Sequence, residues 1–369
     1  MGPSFLSIIN LTIICGISLM IQVVYWYGVF NRLKRKSGRT IDTSNPPEVC
    51  ILICVKNGEN DLKELIPVIA KQDYSSFNIL VANDHSTDDT EKALISLQSE
   101  FKNLTYFNVK QEAPGKKQAI IEALPKIDSE WILFTDVDCR PVSDQWIKDM
   151  ILEAHQDHKS ICLAYSPYLH DQSLLSRWVA FENWLIGVLY LSFAKIGKPY
   201  MGVGRNMAVR KSVYLKEHLQ SHLHLNSGDD DLTLQAILSN DNYTIQLKNT
   251  SFTYTTPPLN LRDYVHQKRR HYTTASEYAT ELKIALSIFP VSQISFYLSA
   301  VFLLFKFPMV GAYFLIIRWL LIYPIQKRLQ GILELKLGFI WFIVFDIILV
   351  AFYTIFSLSF ILPKPKKWA

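Results

Sequence analysis

Two carboxylates stand close together after one strongly apolar stretch of this sequence. Asp136 and Asp138 are two residues apart and follow residues 131–135, Trp-Ile-Leu-Phe-Thr. Side chains at positions i and i+2 share a face as a chain leaves a strand, and paired carboxylates are ligands that Mg²⁺ or Mn²⁺ prefers beside a diphosphate. A solvated acidic turn is the alternative, but the position after a buried strand favours metal binding.

A second acidic motif, Gly228-Asp229-Asp230-Asp231-Leu232, crowds three carboxylates together. Acidic side chains at the start of a helix are favourable for electrostatic reasons alone, which is the structural alternative. Repulsion among crowded carboxylates raises the pKa of one of them, however, and a raised pKa suits a general base acting on a hydroxyl group. Asp229 and Asp230 are both candidates for this base, and the sequence does not choose between them.

A third polar motif, Gln267-Lys268-Arg269-Arg270-His271, precedes the C-terminal apolar stretches. In a helix, residues 267, 270 and 271 lie on one face, and an arginine there can hold a phosphate through two parallel hydrogen bonds. The alternative is a basic flank of the next membrane helix, a role that Lys268 and Arg269 fit.

The segment 201–207, Met-Gly-Val-Gly-Arg-Asn-Met, contains two glycines that let a backbone approach a ligand closely. A simple turn explains these glycines equally well. The sequence has no glycine-rich phosphate loop of the Rossmann or Walker type, so phosphate must be bound in another way.

Alternating strand-like and helix-like stretches surround these motifs. Apolar runs predict strands at 48–55, 77–82, 104–109 and 131–135, and helical patterns follow at 61–72, 88–101, 116–124 and from about 144 onwards. This alternation predicts an α/β fold around a mostly parallel sheet. Ligands of such sheets bind beyond the carboxyl ends of the strands. Asn57, Asp84 and Asp136 each follow a predicted strand, so we expect them to share one edge and form a site.

An uncharged stretch at residues 5–30 is long enough to cross a membrane. It ends in Tyr25, Trp26 and Tyr27, which favour the membrane interface, and basic residues follow between 32 and 39. The positive-inside rule then predicts a cytoplasmic location for the following domain. A cleaved signal peptide is the weaker alternative, because no basic segment precedes the apolar stretch.

Further apolar stretches lie near the other end of the chain, at about 284–305, 307–325 and 338–362, with a tight turn at 306–308 and a basic loop at 326–330. Three crossings would place the basic tail at 364–367 on the wrong side for the positive-inside rule, a conflict that a re-entrant or interfacial segment within 284–325 would remove. The apolar run 178–194 carries Glu182 and predicts an amphipathic helix that is either buried in a core or lies on the membrane surface.

These patterns divide the chain into an N-terminal transmembrane anchor at 1–31, a basic linker at 32–46, a cytoplasmic domain at 47–282, and C-terminal transmembrane helices with a tail at 283–369. The net charge of +5 gives no case for nucleic acid, because the basic residues are scattered or flank apolar runs. The cysteines lack paired spacing, which fits a reducing compartment. We expect a bacterial inner membrane, with a eukaryotic endomembrane as the alternative.

Five motifs in a fixed order resemble those of the inverting family-2 glycosyltransferases, a group that includes cellulose, chitin and hyaluronan synthases and ceramide glucosyltransferase. The similarity covers about residues 47–272 and is carried by NDHSTDDT at 83–90, PGKK at 114–117, TDVDC at 135–139, GDDDL at 228–232 and QKRRH at 267–271, the last being similar to Gln-x-x-Arg-Trp. A single motif of this kind is weak, whereas five in order are a strong resemblance.

The resemblance implies a GT-A fold with transmembrane helices at both ends, and a metal-dependent hexosyltransferase that inverts the anomeric carbon of a nucleotide-diphospho-sugar. It also implies site residues: Asp84 for the nucleotide, Lys116 in a lysine-bearing loop, Asp138 with Asp136 for Mg²⁺ or Mn²⁺, Asp229 or Asp230 as the base, and Gln267 and Arg270 for the diphosphate and acceptor. The implied partners are the donor, a lipid or glycan acceptor, and membrane lipids.

The sequence departs from the family pattern at Asn83, where a second aspartate is frequent, and at His271, where tryptophan lines the acceptor site of polymerising members. A single transfer to a lipid or glycan is therefore expected. A processive polysaccharide synthase is the alternative, although three C-terminal segments are few for a pore. An inactive membrane binding module is the second alternative, against which the retained acidic residues and Arg270 argue.

Overall fold

The computed structural model describes residues 3–35, 41–111, 115–169, 171, 173–225, 227–239 and 241–357. The chain divides into two compact units. Among the described residues, the helical unit comprises 3–34 and 275–357, and the sheet unit comprises those between 35 and 274. Four of the five predicted motifs lie wholly within described parts of the sheet unit, and the fifth, at 114–117, begins with Pro114, which lies outside the described residues.

The described residues contain nine strands and twelve α-helices. The strands are β1 Val49–Val55, β2 Phe77–Asn83, β3 Leu104–Asn108, β4 Trp131–Asp136, β5 Cys139–Pro141, β6 Ile161–Ala164, β7 Met207–Arg210, β8 Tyr243–Gln246 and β9 Thr253–Thr255. The helices are α1 Pro3–Val24, α2 Glu59–Ala70, α3 Thr90–Glu100, α4 Lys116–Ala123, α5 Trp146–Gln156, α6 Leu174–Lys195, α7 Lys216–Gln220, α8 Leu232–Ile237, α9 Leu261–Tyr272, α10 Thr280–Lys306, α11 Pro308–Ile332 and α12 Phe339–Ser357.

The main sheet of the sheet unit has seven strands in the order β3-β2-β1-β4-β7-β6-β8. The first four neighbours in this order pair in parallel, β7 is antiparallel to β4 and β6, and β8 is parallel to β6. All seven residues of β1, Val-Cys-Ile-Leu-Ile-Cys-Val, are buried, as expected of a strand covered on both faces. The predicted mixed, mostly parallel sheet between helices is therefore confirmed.

Helices cover this sheet because their apolar residues recur on one face. In α2 the buried residues are Leu62, Leu65, Ile66 and Ile69, a spacing that forms one apolar stripe on a helix. These side chains join Trp146 and alternate residues of β1 in a single hydrophobic core, the β1 residues being Val49, Ile51, Ile53 and Val55. The core fixes the strands rigidly, so the loops at their carboxyl ends have defined positions.

The helix predicted at 178–194 is longer than expected and is buried along nearly its whole length as α6. Its N-terminus is capped by Ser173, whose side chain accepts from the amide of Ser176. Within the sheet unit, Glu182 forms a buried ion pair with Lys268 of α9. Of the two predicted settings for this helix, the buried core is the one observed.

Three helical stretches are long and apolar enough to cross a membrane: Ile8–Arg32, Thr280–Lys306 and Pro308–Ile332. The apolar part of α12, Phe339–Ile355, is shorter. The predicted turn at 306–308 is present, because α10 ends at Lys306 and α11 begins with a proline, which is suited to the first helical turn. The described residues within 284–325 thus form two continuous helices, and the tail at 364–367 lies outside the described residues.

The prediction of a basic loop at 326–330 is wrong, because these residues belong to the last turns of α11. Leu329 is fully buried and anchors the turn in the helical unit. The Arg328 guanidinium donates to the backbone carbonyls of Leu33 (2.8 Å) and Asn31 (3.0 Å). Lysine, arginine and glutamine are good helix formers, so a polar run of these residues does not by itself indicate a loop.

Candidate active site

The loops after β1 and β2 are fastened to each other at the carboxyl edge of the sheet. Asn57 follows β1 with a backbone φ of 56°, a left-handed conformation that asparagine tolerates better than most residues. Its side-chain oxygen accepts from the Thr87 backbone amide at 2.7 Å. The Asn57 backbone N–H donates to the Ser86 hydroxyl at 2.9 Å. Asn57 therefore shapes the edge where the strand ends meet.

Asp84 follows β2 and is completely buried. One of its carboxylate oxygens accepts from the Gly115 amide at 2.8 Å, and the other lies 2.8 Å from Nδ1 of His85. The Gly115 contact ties the end of β2 to the residue that precedes α4. Asp84 thus positions the start of the helix on which Lys116 stands.

Lys116 brings the two acidic motifs together. Its ammonium lies 2.7 Å from Oδ1 of Asp136, at the end of β4, and 3.3 Å from Oδ2 of Asp229. Burial disfavours the charged amine, but these carboxylates outweigh it and raise the pKa of Lys116 well above its usual value. Burial likewise disfavours the Asp136 carboxylate, yet the Lys116 charge lowers the pKa of Asp136 overall. The site is therefore a charged cluster that persists at neutral pH.

Asp138 lies in the short connection between β4 and β5. One carboxylate oxygen accepts from the Thr255 hydroxyl at 2.8 Å, and Thr255 is the β9 partner of Cys139 in the two-stranded sheet. Burial raises the pKa of Asp138, and the nearby Asp136 carboxylate raises it further. Two carboxylates of this kind near each other favour a cation between them.

A divalent cation fits this donor set. In the described parts of the chain, no three or more His, Cys, Asp or Glu side chains gather as a ready-made metal site. Asp136 and Asp138 nevertheless supply two hard oxygen ligands. Mg²⁺ and similar ions are commonly held by one or two carboxylates, with substrate phosphates and water completing the coordination. The chemistry of the residues present is therefore that of a site completed by a phosphate-bearing substrate.

The three aspartates before α8 have distinct environments. Asp231 caps α8, because its carboxylate accepts from the Leu232 amide at 2.7 Å. Asp229 is paired with Lys116. Asp230 accepts from the Gly204 amide at 3.0 Å, and burial together with the neighbouring Asp229 and Asp231 charges raises the pKa of Asp230 to about 7. Of the two candidates for a base, Asp230 thus has the pKa that suits proton transfer at neutral pH.

Gly204 lies in the middle of this cluster. A Cβ atom added there would stand 3.1 Å from Nζ of Lys116, 3.3 Å from Oδ2 of Asp229 and 3.4 Å from Cβ of Asp230. Only a residue without a side chain leaves these three groups undisturbed. Of the two interpretations of segment 201–207, close approach of the backbone to the site is the one that the geometry favours.

Gln267 and Arg270, the predicted binding residues of the last motif, are both part of α9. The Gln267 amide donates to the Tyr168 hydroxyl at 3.3 Å. The Arg270 charge, with those of Lys116 and Arg205, opposes the effect of burial and favours ionised Asp136. His271, at the end of α9, is exposed.

Sequence reasoning did not single out four residues that support the site. Tyr168, Arg205 and Thr255 contact or surround predicted residues, and Lys117 fastens the loop before the acidic motif by donating to the carbonyls of His222 and Ser227. For Arg205, its place between a glycine pair and Asn206 was a usable signal. No local pattern marks Tyr168 or Thr255, because their roles depend on pairing across the fold.

A mostly parallel sheet in which the partly buried Lys116 joins two acidic motifs is GT-A-like in its arrangement. Residues 50–216 match the model of the family described as Glycosyl transferase family 2. This match agrees with the family that the motifs resemble.

One curated protein is similar to this chain in sequence, and one solved structure is similar to it in fold. The relative is GalNAc(5)-diNAcBac-PP-undecaprenol beta-1,3-glucosyltransferase of Campylobacter jejuni, 30% identical over 95 residues, which are 25% of this chain and 30% of that protein's length. The structure is mannosyltransferase PcManGT from Pyrobaculum calidifontis in complex with GDP-Man and Mn²⁺. It aligns with a TM-score of 0.60 at 16% identity and covers 94% of this chain and 99% of that one, which shows the shared fold.

Proposed function

We propose that this protein is an inverting, metal-dependent glycosyltransferase that moves a hexosyl group from a nucleotide-diphospho-sugar to a lipid-linked or glycan acceptor. One observation carries the proposal: the Lys116 ammonium contacts carboxylates of both acidic motifs, Asp136 and Asp229. The donor-binding and base motifs therefore converge on one place, which is what a direct displacement requires.

In this proposal Asp230 is the general base. Its carboxylate takes the proton of the acceptor hydroxyl while the hydroxyl oxygen forms a bond to the anomeric carbon. The bond from that carbon to the β-phosphate oxygen breaks, and its electron pair leaves with the nucleoside diphosphate. The Gly204 amide, 3.0 Å from Oδ2 of Asp230, holds this carboxylate in position. One attack from the face opposite the leaving group inverts the anomeric carbon.

The remaining site residues bind the donor. Asp138 and Asp136 would hold Mg²⁺ or Mn²⁺, which would offset negative charge on the diphosphate. Asp84 and Asn57 bind the nucleotide, Lys116 links carboxylates of the two acidic motifs, and Gln267 and Arg270 contact the diphosphate and the acceptor end. The Mn²⁺ and GDP-Man bound by PcManGT support the choice of metal and donor class.

The acceptor is proposed to be presented at the cytoplasmic face of a membrane, in bacteria the inner membrane. Three helical stretches with the length and composition of membrane spans support an integral location. In the sequence, the proposed catalytic domain at 47–282 follows the first of them. The name of the Campylobacter jejuni relative describes a glycan on undecaprenyl diphosphate, which supports a lipid-linked acceptor.

A donor screen tests the proposal. Detergent-purified full-length protein is incubated with UDP- and GDP-sugars, Mn²⁺ or Mg²⁺, and a membrane lipid extract, and nucleoside diphosphate release and glycolipid mass are measured. We expect the wild type to consume one donor and to add a single hexose. Asp138→Asn should abolish both signals. Asp128→Asn, a control at an exposed position, should retain them. Long products would instead identify a processive synthase, and no turnover with any donor would favour an inactive binding module.

A further inference from the structure

The turn that carries Asp138 is held by two side chains from outside it. Asp138 and Val137 form this turn between β4 and β5. One contact is to the side chain, because the Thr255 hydroxyl donates to the Asp138 carboxylate at 2.8 Å. The other contact is to the backbone and comes from Arg140, which lies in β5. The position of the proposed metal ligand thus depends on more than the strand that precedes it.

Arg140 donates to backbone carbonyls on both sides of Asp138 in the chain. One terminal nitrogen, Nη1, lies 2.8 Å from the carbonyl oxygen of Val137 and 2.9 Å from that of Cys139. Both carbonyls are therefore fixed relative to a single nitrogen atom. The backbone between them, which includes Asp138, is closed into a tight loop by these two hydrogen bonds.

The other terminal nitrogen, Nη2, connects the turn to α2. It lies 3.1 Å from Oδ1 of Asp61 and 2.9 Å from Oε2 of Glu64. Residues three apart share a face of a helix, so both carboxylates reach the same nitrogen. Leu62 and Leu65 of the same helix are fully buried in the main core. The two carboxylates therefore stand on an element whose position is fixed by close packing.

These contacts suit orientation better than stabilisation. The Asp61 and Glu64 side chains are 46% and 72% exposed, and exposed ion pairs contribute little to stability. A guanidinium is planar, however, and its terminal nitrogens have fixed directions relative to each other. Because α2 holds Nη2, the direction in which Nη1 points toward the two carbonyls is set as well.

Charge alone does not favour an arginine at this place. Arg140 is two residues from Asp138, which is proposed to hold a divalent cation. Like charges repel, so the guanidinium charge by itself weakens the binding of a cation. A favourable effect of Arg140 on the metal can come only from the geometry that it imposes on the turn. The two effects have opposite signs, which makes them separable by experiment.

We propose that Arg140 is a positioning residue, which fastens the turn to α2 and so preorganises the Asp138 carboxylate for a divalent cation. This inference rests on the proposed function, in which Asp138 holds the metal, and adds a residue that acts through Asp138. Arg140 itself contacts neither the metal nor the substrate in this proposal. Loss of a group that orients a metal ligand typically lowers metal affinity by roughly 10- to 100-fold.

Electron paramagnetic resonance of free Mn²⁺ tests the inference, because it measures binding without turnover. Mn²⁺ is titrated into detergent-solubilised full-length protein with UDP and, separately, with GDP, since phosphate oxygens complete the coordination of such ions. We expect Arg140→Gln to raise the Kd for Mn²⁺ roughly tenfold. An unaltered or lower Kd would overturn the inference, because loss of a positive charge by itself favours a bound cation.

Two further variants control for charge and for folding. Arg210→Gln is the matched control: Arg210 also pairs with a carboxylate, that of Glu130, and donates to a backbone carbonyl, but it lies opposite Trp131, where β4 begins. It should bind Mn²⁺ as the wild type does. Arg140→Lys keeps the charge but not the fork of two nitrogens, so its Kd should rise by less than that of Arg140→Gln. Should Arg140→Gln fail to fold, a wild-type Kd in Arg140→Lys would overturn the inference.

Asp138→Asn, titrated in the same way, separates this inference from the proposed function. If Asp138→Asn loses affinity for Mn²⁺ and Arg140→Gln does not, only the inference fails. If both variants lose affinity in a protein that transfers no sugar, Arg140 keeps its role and only the proposed reaction fails. Wild-type Mn²⁺ binding in Asp138→Asn would remove the metal from Asp138 and overturn both.

Discussion

At the scale of single residues, the environment of Asp230 sets an expected pH dependence. Burial and the neighbouring Asp229 and Asp231 charges raise the pKa of Asp230 to about 7, and only the ionised carboxylate can accept a proton. We therefore expect kcat/KM to rise tenfold per pH unit below pH 7 and to level off above it.

Initial rates at subsaturating donor between pH 5.5 and 8.5 test this expectation. Asp230→Asn should reduce kcat by roughly 10²- to 10⁴-fold, the usual contribution of a general base. Asp128→Asn, at an exposed position, should follow the wild-type profile. A flat profile below pH 7 in the wild type would remove Asp230 from the role of base.

Gly204 offers a second test at this scale, because it depends on space rather than charge. In Gly204→Ala the new Cβ stands 3.1–3.4 Å from Lys116, Asp229 and Asp230, so these groups must shift by a few tenths of an ångström. We expect kcat to fall roughly tenfold or more with little loss of stability, because small displacements of catalytic groups are costly.

Gly331→Ala is the matched control for the glycine variant. A Cβ atom added at Gly331 has no heavy atom within 4 Å. The Gly331→Ala variant should therefore have the same kcat as the wild type. Equal kcat values for both alanine variants would show that close backbone approach at Gly204 is unimportant for turnover.

At the scale of helices and strands, short-range patterns predicted most of the sheet unit. β1, β2 and β4 follow from their apolar composition, and α2 follows from its apolar stripe, because both signals depend on near neighbours in the chain. The basic residues at 326–330 misled the prediction, since a helix tolerates polar residues wherever it can bury one side. The Lys116 contacts and the Thr255 bond to Asp138 depend on long-range register, which no local pattern contains.

The contact between α6 and α9 yields a prediction at this scale. Lys268 and Glu182 form an ion pair in which both side chains are almost fully buried, and Gln267 and Arg270 stand on the same helix as Lys268. Lys268→Met leaves the Glu182 carboxylate buried and uncompensated, which typically costs about 3–5 kcal/mol. We expect the melting temperature in detergent to fall by roughly 10 °C and transfer activity to fall with it.

An exposed ion pair provides the comparison for Lys268→Met. Lys92 and Asp89 are 2.7 Å apart with both side chains largely in solvent, so Lys92→Met should change the melting temperature by at most about 1–2 °C. A Lys268→Met protein as stable as Lys92→Met would mean that the buried pair does not hold α9 in place.

At the scale of the whole molecule, the helical unit is more than a set of apolar anchors. Arg318 of α11 and Asp346 of α12 are almost fully buried and lie 2.7 Å apart. Arg318 also donates to Gln22 of α1 at 2.8 Å, and Asp346 accepts from Gln293 of α10 at 2.7 Å. One polar network thus contacts all four long helices. Hydropathy alone marked these stretches as apolar and gave no sign that Arg318 and Asp346 would meet.

This network predicts that the helical unit depends on one ion pair for its packing. Charged residues among membrane helices are tolerated when they are paired in the interior, and removing one partner leaves the other desolvated. Arg318→Met and Asp346→Leu should each lower the melting temperature in detergent strongly, whereas the double variant should lose less than the sum, with a coupling of about 3 kcal/mol. Arg32→Met, at an exposed position of the same unit, should have little effect. If the two single losses simply add in the double variant, Arg318 and Asp346 act independently, and their ion pair does not hold the helices together.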